Sequence, residues 1–213
     1  MTDLTGKTAI ITGASRGIGA AAARHLAGLG ATVVLAARSE AAIAEIAAEI
    51  AQAGGRALAL PCDVASVTEV RALIDRAQAE TGRIDILVNN AGVIEPVARL
   101  ADSDPEAWGT VVDINLKGVY HGLRFAIPEM LKAGGGTVIN ISSGAATGAL
   151  EGWSHYCATK AGVLSLTRVA DLEYRDSGIR VIGLSPGTVA TEMQVQIRAS
   201  GINPVSQLDP SVH

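Results

Sequence analysis

A tyrosine and a lysine four positions apart are the side chains of this sequence that point most directly to chemistry. Tyr156 and Lys160 lie in a stretch that we predict to be helical. Residues four apart share one face of a helix, about 6 Å apart along its axis. Taken alone, this spacing favours two side chains that only lie side by side on a helix surface, and the other motifs of the sequence turn the prediction to an acid–base centre.

The electrostatic argument for this pair can be given a magnitude. A free phenol has a pKa near 10 and is a poor base at neutral pH. An ammonium group about 4 Å away favours the phenolate by on the order of 4 kcal/mol, or up to about three pKa units, and burial opposes part of this effect. We therefore expect Lys160 to lower the pKa of Tyr156 towards neutral pH.

A glycine-rich turn between an apolar run and a helical stretch is the second candidate site. It reads TGASRGIG over residues 12–19. Gly13 permits a tight turn, Gly17 lets the backbone approach a diphosphate, and Gly19 lets the helix lie close to the strand. The helix N-terminus adds N–H groups and partial positive charge. We predict a dinucleotide-binding turn, although a tight strand–helix turn explains the glycines without a ligand.

The residues after the second apolar run bear on the choice of dinucleotide. An acidic residue there binds the 2′-hydroxyl of NAD, but the run ends in AARS and no carboxylate precedes Glu40. The guanidinium of Arg38 suits a 2′-phosphate, and Arg16 adds a second positive charge. The sequence favours NADP over NAD, and the alternative is that both arginines are ordinary solvated residues.

The elements that must position these residues alternate between strands and helices. Most strands are apolar at every position, which is typical of a parallel sheet covered by helices on both faces. Right-handed crossovers then give one α/β domain over residues 1–213, a Rossmann-like doubly wound sheet in three layers, αβα. We predict strands at 7–12, 31–37, 56–60, 84–89, 137–142 and 179–184, and helices at 18–29, after the caps Ser39 and Ser66, at 105 to about 132 after Asp104, and at about 154–176.

Composition excludes several other classes of protein. The 213 residues carry a net charge of −4 without a basic block, which argues against nucleic-acid binding. No apolar stretch reaches membrane-spanning length and residues 1–7 lack a signal-peptide pattern, so we expect a cytoplasmic protein with no membrane partner. Cys62 and Cys157 are predicted to be free thiols. No Cys, His, Asp and Glu cluster has metal-ligand spacing, so no metal is expected.

The motifs together resemble the short-chain dehydrogenase/reductase family. They occur in the family's order on the predicted elements, from about Lys7 to Met193. The matching residues are Thr12-Gly13-x-x-x-Gly17-x-Gly19, Asn89-Asn90-Ala91-Gly92, Asn115, Ser143, Tyr156-x-x-x-Lys160 and Pro186-Gly187.

The resemblance implies a catalytic set of four residues. Tyr156 is the general acid in carbonyl reduction and the base in alcohol oxidation, and Lys160 also bonds the nicotinamide ribose. Ser143, rather than its neighbour Ser142, donates to the substrate oxygen. Asn115 holds a water molecule that links the lysine to solvent, or has a structural role in its helix, and the two roles are compatible.

The resemblance also implies which residues contact the cofactor. Asp63 falls where the family contacts the adenine amino group, with Val64 against the ring, and Asn89 and Gly92 lie beside the adenosine ribose. Asn90 is expected to be structural. The full predicted set is Gly13, Ser15, Arg16, Gly17, Ile18, Gly19, Arg38, Ser39, Asp63, Val64, Asn89, Gly92, Tyr156, Lys160, Pro186, Gly187, Val189 and Thr191.

Substrate contacts are predicted around the start of the helix that carries Tyr156. Trp153 either lines the pocket or anchors the start of that helix. His155 is expected to face solvent rather than to act as a base. The remaining pocket candidates are Ile94, Glu95, Ala145 and the segment 145–150.

We therefore expect an oxidoreductase that transfers a hydride between NADP(H) and a ketone or secondary alcohol, with reduction as the expected direction. The alternatives are an NAD-dependent dehydrogenase of a sugar or cyclic alcohol, and a non-catalytic nucleotide-binding regulator. The expected partners are other copies of the chain, in a tetramer or dimer formed through the helices that begin near Pro105 and Ser154.

The length is the feature in which the chain departs from the family it resembles. Members of the family usually carry another helix and a seventh strand after the loop that matches Pro186-Gly187. The residues up to His213 show no strand pattern. We therefore expect that helix and the seventh strand to be absent, in a fragment, in a shortened variant, or because the C-terminal part is missing from the sequence.

Overall fold

A computed structural model describes residues 2–202 and residue 205. Six parallel strands form one sheet in the order β3-β2-β1-β4-β5-β6. The strands are β1 (Thr8–Thr12), β2 (Thr32–Ala37), β3 (Arg56–Pro61), β4 (Ile86–Asn89), β5 (Gly136–Ile141) and β6 (Ile179–Leu184). The α-helices are α1 (Gly17–Gly28), α2 (Glu40–Gln52), α3 (Val67–Thr81), α4 (Pro105–Val112), α5 (Gly118–Lys132), α6 (Ser154–Tyr174) and α7 (Glu192–Ser200).

This strand order confirms the predicted Rossmann-like, doubly wound sheet. The chain leaves β1 in one direction to make β2 and β3, and then returns to β4 on the other side of β1. The carboxyl ends of β1 and β4 therefore flank the place where the strand order reverses, which is where α/β sheets bind ligands. The glycine turn after β1 and the segment after β4 both lie at this edge.

Apolar cores on the two faces of the sheet make the three layers. One core joins β1 and β2 to α1 and α2, with Ile11, Leu35 and Ile43 fully buried. The other joins the sheet to α3, α5 and α6. Both faces are covered at the centre of the sheet, but Ile182 and Leu184 of β6 are 41% and 48% exposed. The predicted cover of helices on both faces of the sheet is therefore incomplete at this edge among the described residues.

Side-chain caps begin three of the predicted helices. The Ser39 and Ser66 hydroxyls and the Asp104 carboxylate each accept a hydrogen bond from the backbone N–H three residues later. Helix α1 differs, because Arg16 at its N-cap makes no side-chain capping bond and no acidic residue lies in its first turn. The first N–H groups of α1 have no side-chain cap and are therefore suited to an anionic ligand.

Two helical segments depart from the sequence expectations. The predicted helix from Pro105 to Lys132 is interrupted by a π-helical turn at Asp113–Lys117. Helix α7 follows β6, where no further helix was expected, and its Ile197 is 2% exposed. Within the described residues, none of the helices combines the length and apolarity needed to cross a bilayer.

Candidate active site

The glycine turn is held in place by close backbone contacts. Gly13 has a φ of +64°, and a Cβ there would lie 2.8 Å from Ala91 Cα. Asn90 Nδ2 donates to Thr12 O at 2.9 Å and to Gly13 O at 3.1 Å. The structural role expected for Asn90 is confirmed, since it ties the end of β4 to the turn after β1.

This turn also meets the loop that follows β6. Gly17 has a φ of +53°, and a Cβ there would lie 3.3 Å from Thr191 Cγ2. The loop contains the other predicted cofactor residues of this region, Pro186, Gly187 and Val189. Gly187 has a φ of +75°. The two segments therefore enclose the open N-terminus of α1 from two sides.

The arginines predicted to bind a 2′-phosphate lie at the expected edge of the sheet. Arg16 and Arg38 are both exposed, and neither is in an ion pair with a described carboxylate. Ser39 caps α2 beside Arg38, while Ser15 and Ile18 are partly exposed in the glycine turn. A cradle of glycines, an uncapped helix end and two free guanidinium groups fit a phosphorylated dinucleotide.

Gly19 provides a test of this cradle. A Cβ at Gly19 would collide with Gly13 O and lie 2.6 Å from Asn90 Nδ2. We expect Gly19→Ala to lower the free energy of unfolding by about 1–3 kcal/mol, as in other overpacked sites, and to weaken NADPH binding. Denaturant unfolding and a fluorescence titration measure the two effects.

Gly28 on the same helix is the matched control, since nothing lies within 4 Å of a Cβ there. We expect Gly28→Ala to leave NADPH binding unchanged and stability equal or slightly higher. Equal NADPH affinity in the Gly19 and Gly28 variants would contradict the cradle.

The residues predicted around the adenosine differ in how much side chain they offer. Asp63 is partly exposed, and its Oδ1 accepts from Ala65 N–H at 3.0 Å. The Val64 side chain is directed into the core, where a Cβ on Gly118 would lie 2.8 Å from it. Asn89 is 3% exposed and donates to Asn140 Oδ1 at 2.9 Å. The Val64 side chain and the Asn89 Nδ2 group are therefore occupied within the protein, while Asn89 Oδ1 is buried without a hydrogen-bond partner among the described residues.

Tyr156 lies in the first turn of α6 and is 8% exposed. Burial raises the pKa of its phenol above the usual 10, a hydrogen bond with Ser143 opposes the rise, and the neighbouring Cys157 adds to it. Ser143 follows β5 and interacts with the phenol, and its predicted bond to the substrate oxygen stays a prediction. The expected lowering of the pKa of Tyr156 is wrong in direction, because burial outweighs the other influences.

The surroundings of Lys160 explain why its ammonium does not lower the pKa of Tyr156 as expected. Its Nζ donates to Ile141 O at 2.7 Å and lies 5.5 Å from the centre of the Tyr156 ring. The residue is 5% exposed, and burial lowers the pKa of the amine to about 8. Lys160 therefore lies beside Tyr156 on one helix face, but burial also disfavours the protonated, charged form of its amine.

Asn115 occupies the π-helical turn and is fully buried. Its Oδ1 accepts from Val93 N–H and its Nδ2 donates to Val93 O, both at 2.8 Å. A Cβ on Gly92, another predicted cofactor residue, would lie 3.4 Å from Asn115 Oδ1. The side chain therefore fixes the segment after β4, which is a structural role, and the water link to Lys160 stays a prediction.

The prediction that His155 faces solvent is wrong. The residue is 0% exposed, and its Nε2 lies 2.6 Å from Ile94 O. This bond ties the start of α6 to the segment that Asn115 holds. The partner is distant in sequence, so local periodicity gave no signal for it. The contact places Ile94 and Tyr156 on adjacent walls of one site.

Three of the predicted substrate residues, Ile94, Ala145 and Trp153, come together around Tyr156. Trp153 is 4% exposed and meets the Tyr156 ring edge-on, with 5.6 Å between ring centres and 79° between planes. Ile94 and Ala145 are buried beside them. Trp153 thus lies both against Tyr156 and directly before α6. Glu95 is exposed and accepts from Gln196 Nε2 at 3.0 Å.

Helix α7 contributes to this site, which was not predicted from the sequence. Ile197 is buried in the same cluster, and Met193 lies partly buried against it. Their spacing of four positions is a helical signal, but the run was too short to be recognised. Within residues 2–202 and 205, no group of three or more His, Cys, Asp and Glu side chains is arranged to hold a metal ion.

Comparisons with known proteins give one consistent result. The sequence matches the family described as short chain dehydrogenase over residues 7–201. The cis-4-hydroxycyclohexanecarboxylate dehydrogenase of Sinomonas cyclohexanicum is 44% identical over 88% of this chain and 75% of its own. The 3-oxoacyl-[acyl-carrier-protein] reductase of Synechocystis sp. is 40% identical over 95% of this chain and 82% of its own.

A solved structure is similar in three dimensions. The gluconate 5-dehydrogenase of Burkholderia cenocepacia J2315, crystallised with NADP and tartrate, superposes with a TM-score of 0.86 and is 38% identical. The match covers 91% of this chain and 75% of that one. Sequence and architecture therefore agree on the group of proteins to which the chain is similar.

Proposed function

The chain belongs to the short-chain dehydrogenase/reductase family, and from this premise we propose that it reduces a ketone to a secondary alcohol with NADPH. Its membership makes it an oxidoreductase acting on alcohols or ketones. The observation that carries the finer proposal is the buried Tyr156, which interacts with Ser143 and lies beside Lys160.

When bound, the nicotinamide supplies the hydride for reduction. The chain's own residues handle the proton and the developing charge on the substrate oxygen. Tyr156 Oη donates its proton to that oxygen, and Ser143 Oγ donates a hydrogen bond to it, which stabilises the negative charge. With a pKa above its usual value the phenol is protonated at neutral pH, which is the form that the acid role requires.

Lys160 and Asn115 are proposed to support this proton transfer. Lys160 is held by Ile141 O and is proposed to bond the nicotinamide ribose. A pKa of about 8 lets its amine gain or lose a proton close to neutral pH, which suits a relay to Tyr156. Asn115 is proposed to connect this amine to solvent through water while it anchors Val93.

The preference for NADP rests on Arg38 and Arg16, which face solvent with no described carboxylate paired to them. We expect Arg38→Asp to reduce kcat/KM with NADPH by about 10- to 100-fold and to improve activity with NADH, because a carboxylate repels the 2′-phosphate and accepts from a 2′-hydroxyl. Steady-state kinetics with both cofactors measures the change.

Arg56→Asp is the control for added negative charge. Arg56 is exposed and begins β3, whereas Arg38 follows the end of β2, at the opposite edge of the sheet. It should leave the ratio of NADPH to NADH activity unaltered. An unchanged ratio in the Arg38 variant would instead favour the second candidate, an NAD-dependent dehydrogenase of a sugar or cyclic alcohol.

A direct assay tests the proposed function. Purified protein is mixed with NADPH or NADH and a panel of ketones, and cofactor oxidation is followed by absorbance. We expect oxidation of NADPH that depends on a ketone. Binding of NADPH without turnover of any ketone or alcohol would support the third candidate, a nucleotide-binding regulator. The oligomeric state stays a prediction.

A further inference from the structure

We infer that the substrate of this site is a neutral ketone with an apolar body, rather than a sugar or a carboxylate-bearing ketone. The inference rests on the proposed function and specifies its substrate class. It is carried by the side chains that surround Tyr156. Four of them, here called the apolar wall, are nearly completely buried: Ile94, Ala145, Trp153 and Ile197.

The apolar wall is assembled from four separate segments of the chain. Ile94 comes from the segment after β4, Ala145 from the turn after β5, Trp153 from the residue before α6, and Ile197 from α7. Further apolar side chains, among them Val97, Leu150 and Met193, lie partly buried against it. The area beside the phenol is therefore bounded by aliphatic and aromatic groups on several sides.

The wall adjoins the groups proposed to handle the substrate oxygen. Ala145 N–H donates to Ser143 Oγ at 3.2 Å, so the wall begins next to the catalytic serine. Trp153 meets the Tyr156 ring edge-on at 5.6 Å between centres. A carbonyl carbon placed for Tyr156 and Ser143 would therefore hold its substituents against these side chains.

Charged side chains near the wall are already engaged with other groups. Arg99 Nε lies 2.7 Å from Glu151 Oε1, and this pair is exposed at the rim. Glu95 accepts from Gln196 at the same rim. A substrate carboxylate would thus have to compete for an arginine that is paired and solvated, while a neutral apolar body would find apolar contacts along the wall.

The free energy of burying apolar and polar groups sets how strongly the site should prefer apolar ketones over polar ones. Each methylene group moved from water to an apolar surface improves binding by about fourfold. A hydroxyl or carboxylate that loses water without gaining a partner weakens binding by about 10- to 100-fold. The series cyclohexanone, 4-methylcyclohexanone and 4-ethylcyclohexanone should therefore rise in kcat/KM, and 4-oxocyclohexanecarboxylate and a ketohexose should fall well below it.

The indole N–H of Trp153 could also bind a polar group of the substrate, which is an alternative to apolar contact. Its Nε1–H is buried and has no hydrogen-bond partner among the described residues, so a polar substrate group could accept from it. Two substitutions separate the possibilities. Trp153→Phe keeps an aromatic surface and removes the N–H, whereas Trp153→Ala removes both. Thermal unfolding and NADPH titration establish that each variant is folded and binds its cofactor.

The experiment measures turnover of this panel with NADPH and, separately, ligand-induced thermal shifts in the presence of NADP⁺. We expect Trp153→Phe to stay within about threefold of the wild type on 4-ethylcyclohexanone, and Trp153→Ala to lose about tenfold or more. Equal or better activity on the carboxylate or the ketohexose would overturn the inference and leave the proposed function intact. So would a loss in Trp153→Phe as large as in Trp153→Ala.

The thermal shifts cover the case in which no ketone is reduced. Stabilisation by the apolar ketones and not by the polar ones would keep the inference and overturn the proposed reduction. Stabilisation by neither group, together with no turnover, would overturn both.

Discussion

Tyr156→Phe is expected to lower kcat for ketone reduction by about 10²- to 10⁴-fold, the range over which a positioned general acid contributes. The substitution removes only the hydroxyl that donates the proton. The ring stays against Trp153, 5.6 Å away between centres. We therefore expect NADPH affinity and thermal stability to change little, and kcat to carry the loss. Steady-state kinetics on any ketone that the wild type reduces measures it.

Tyr120→Phe is the matched control for this loss. Tyr120 lies on α5 and is 49% exposed, away from the glycine turn. It loses the same hydroxyl and should keep wild-type kcat. Full activity in the Tyr156 variant would show that another group donates the proton. A loss shared equally by both variants would point to an effect on stability rather than on chemistry.

The features that were predictable from sequence are those whose causes are local. Ser39, Ser66 and Asp104 cap helices through the N–H three residues later, so their role is visible within four residues. Apolar runs such as β1 are buried at every position, which their composition already required. The glycine turn was also predictable from local sequence, because the turn itself requires the φ of +64° that Gly13 adopts.

The features that were mispredicted depend on partners distant in the chain. His155 is buried because Ile94 O, 61 positions away, is within hydrogen-bond distance. Lys160 donates to Ile141 O, 19 positions away. Burial at this position disfavours the charged form of the amine and lowers its pKa. Helical spacing placed Tyr156 and Lys160 on one face correctly, but it carried no information about how deeply the face is buried. The direction of the pKa shift of Tyr156 is decided by that depth.

The buried amine of Lys160 gives the second large effect, because its removal should lower activity and also change the pH dependence of stability. Lys160→Met removes the ammonium at nearly the same length. We expect kcat/KM to fall by about 10²-fold or more, the cost of a misplaced reacting group. The lost bond also leaves Ile141 O unpaired, which costs about 1–3 kcal/mol of stability at every pH.

The pH dependence of stability identifies the burial of the charge. The pKa of Lys160 is about 8 in the folded chain against 10.5 when exposed, so between these values the unfolded chain binds more protons. The wild type therefore gains about 3 kcal/mol of stability relative to the variant as pH rises from 8 to 10.5. Below pH 8 both states carry the proton, and the full burial cost is present in the wild type only.

Denaturant unfolding of both proteins from pH 7 to pH 10.5 measures this difference. Lys132→Met is the matched control, since Lys132 is exposed and pairs with Glu129 at the end of α5. Its stability curve should run parallel to that of the wild type. If the stability curve of the Lys160 variant also runs parallel to that of the wild type, the amine of wild-type Lys160 is not held in a low-dielectric site. The proposed proton relay through Lys160 then loses its physical basis.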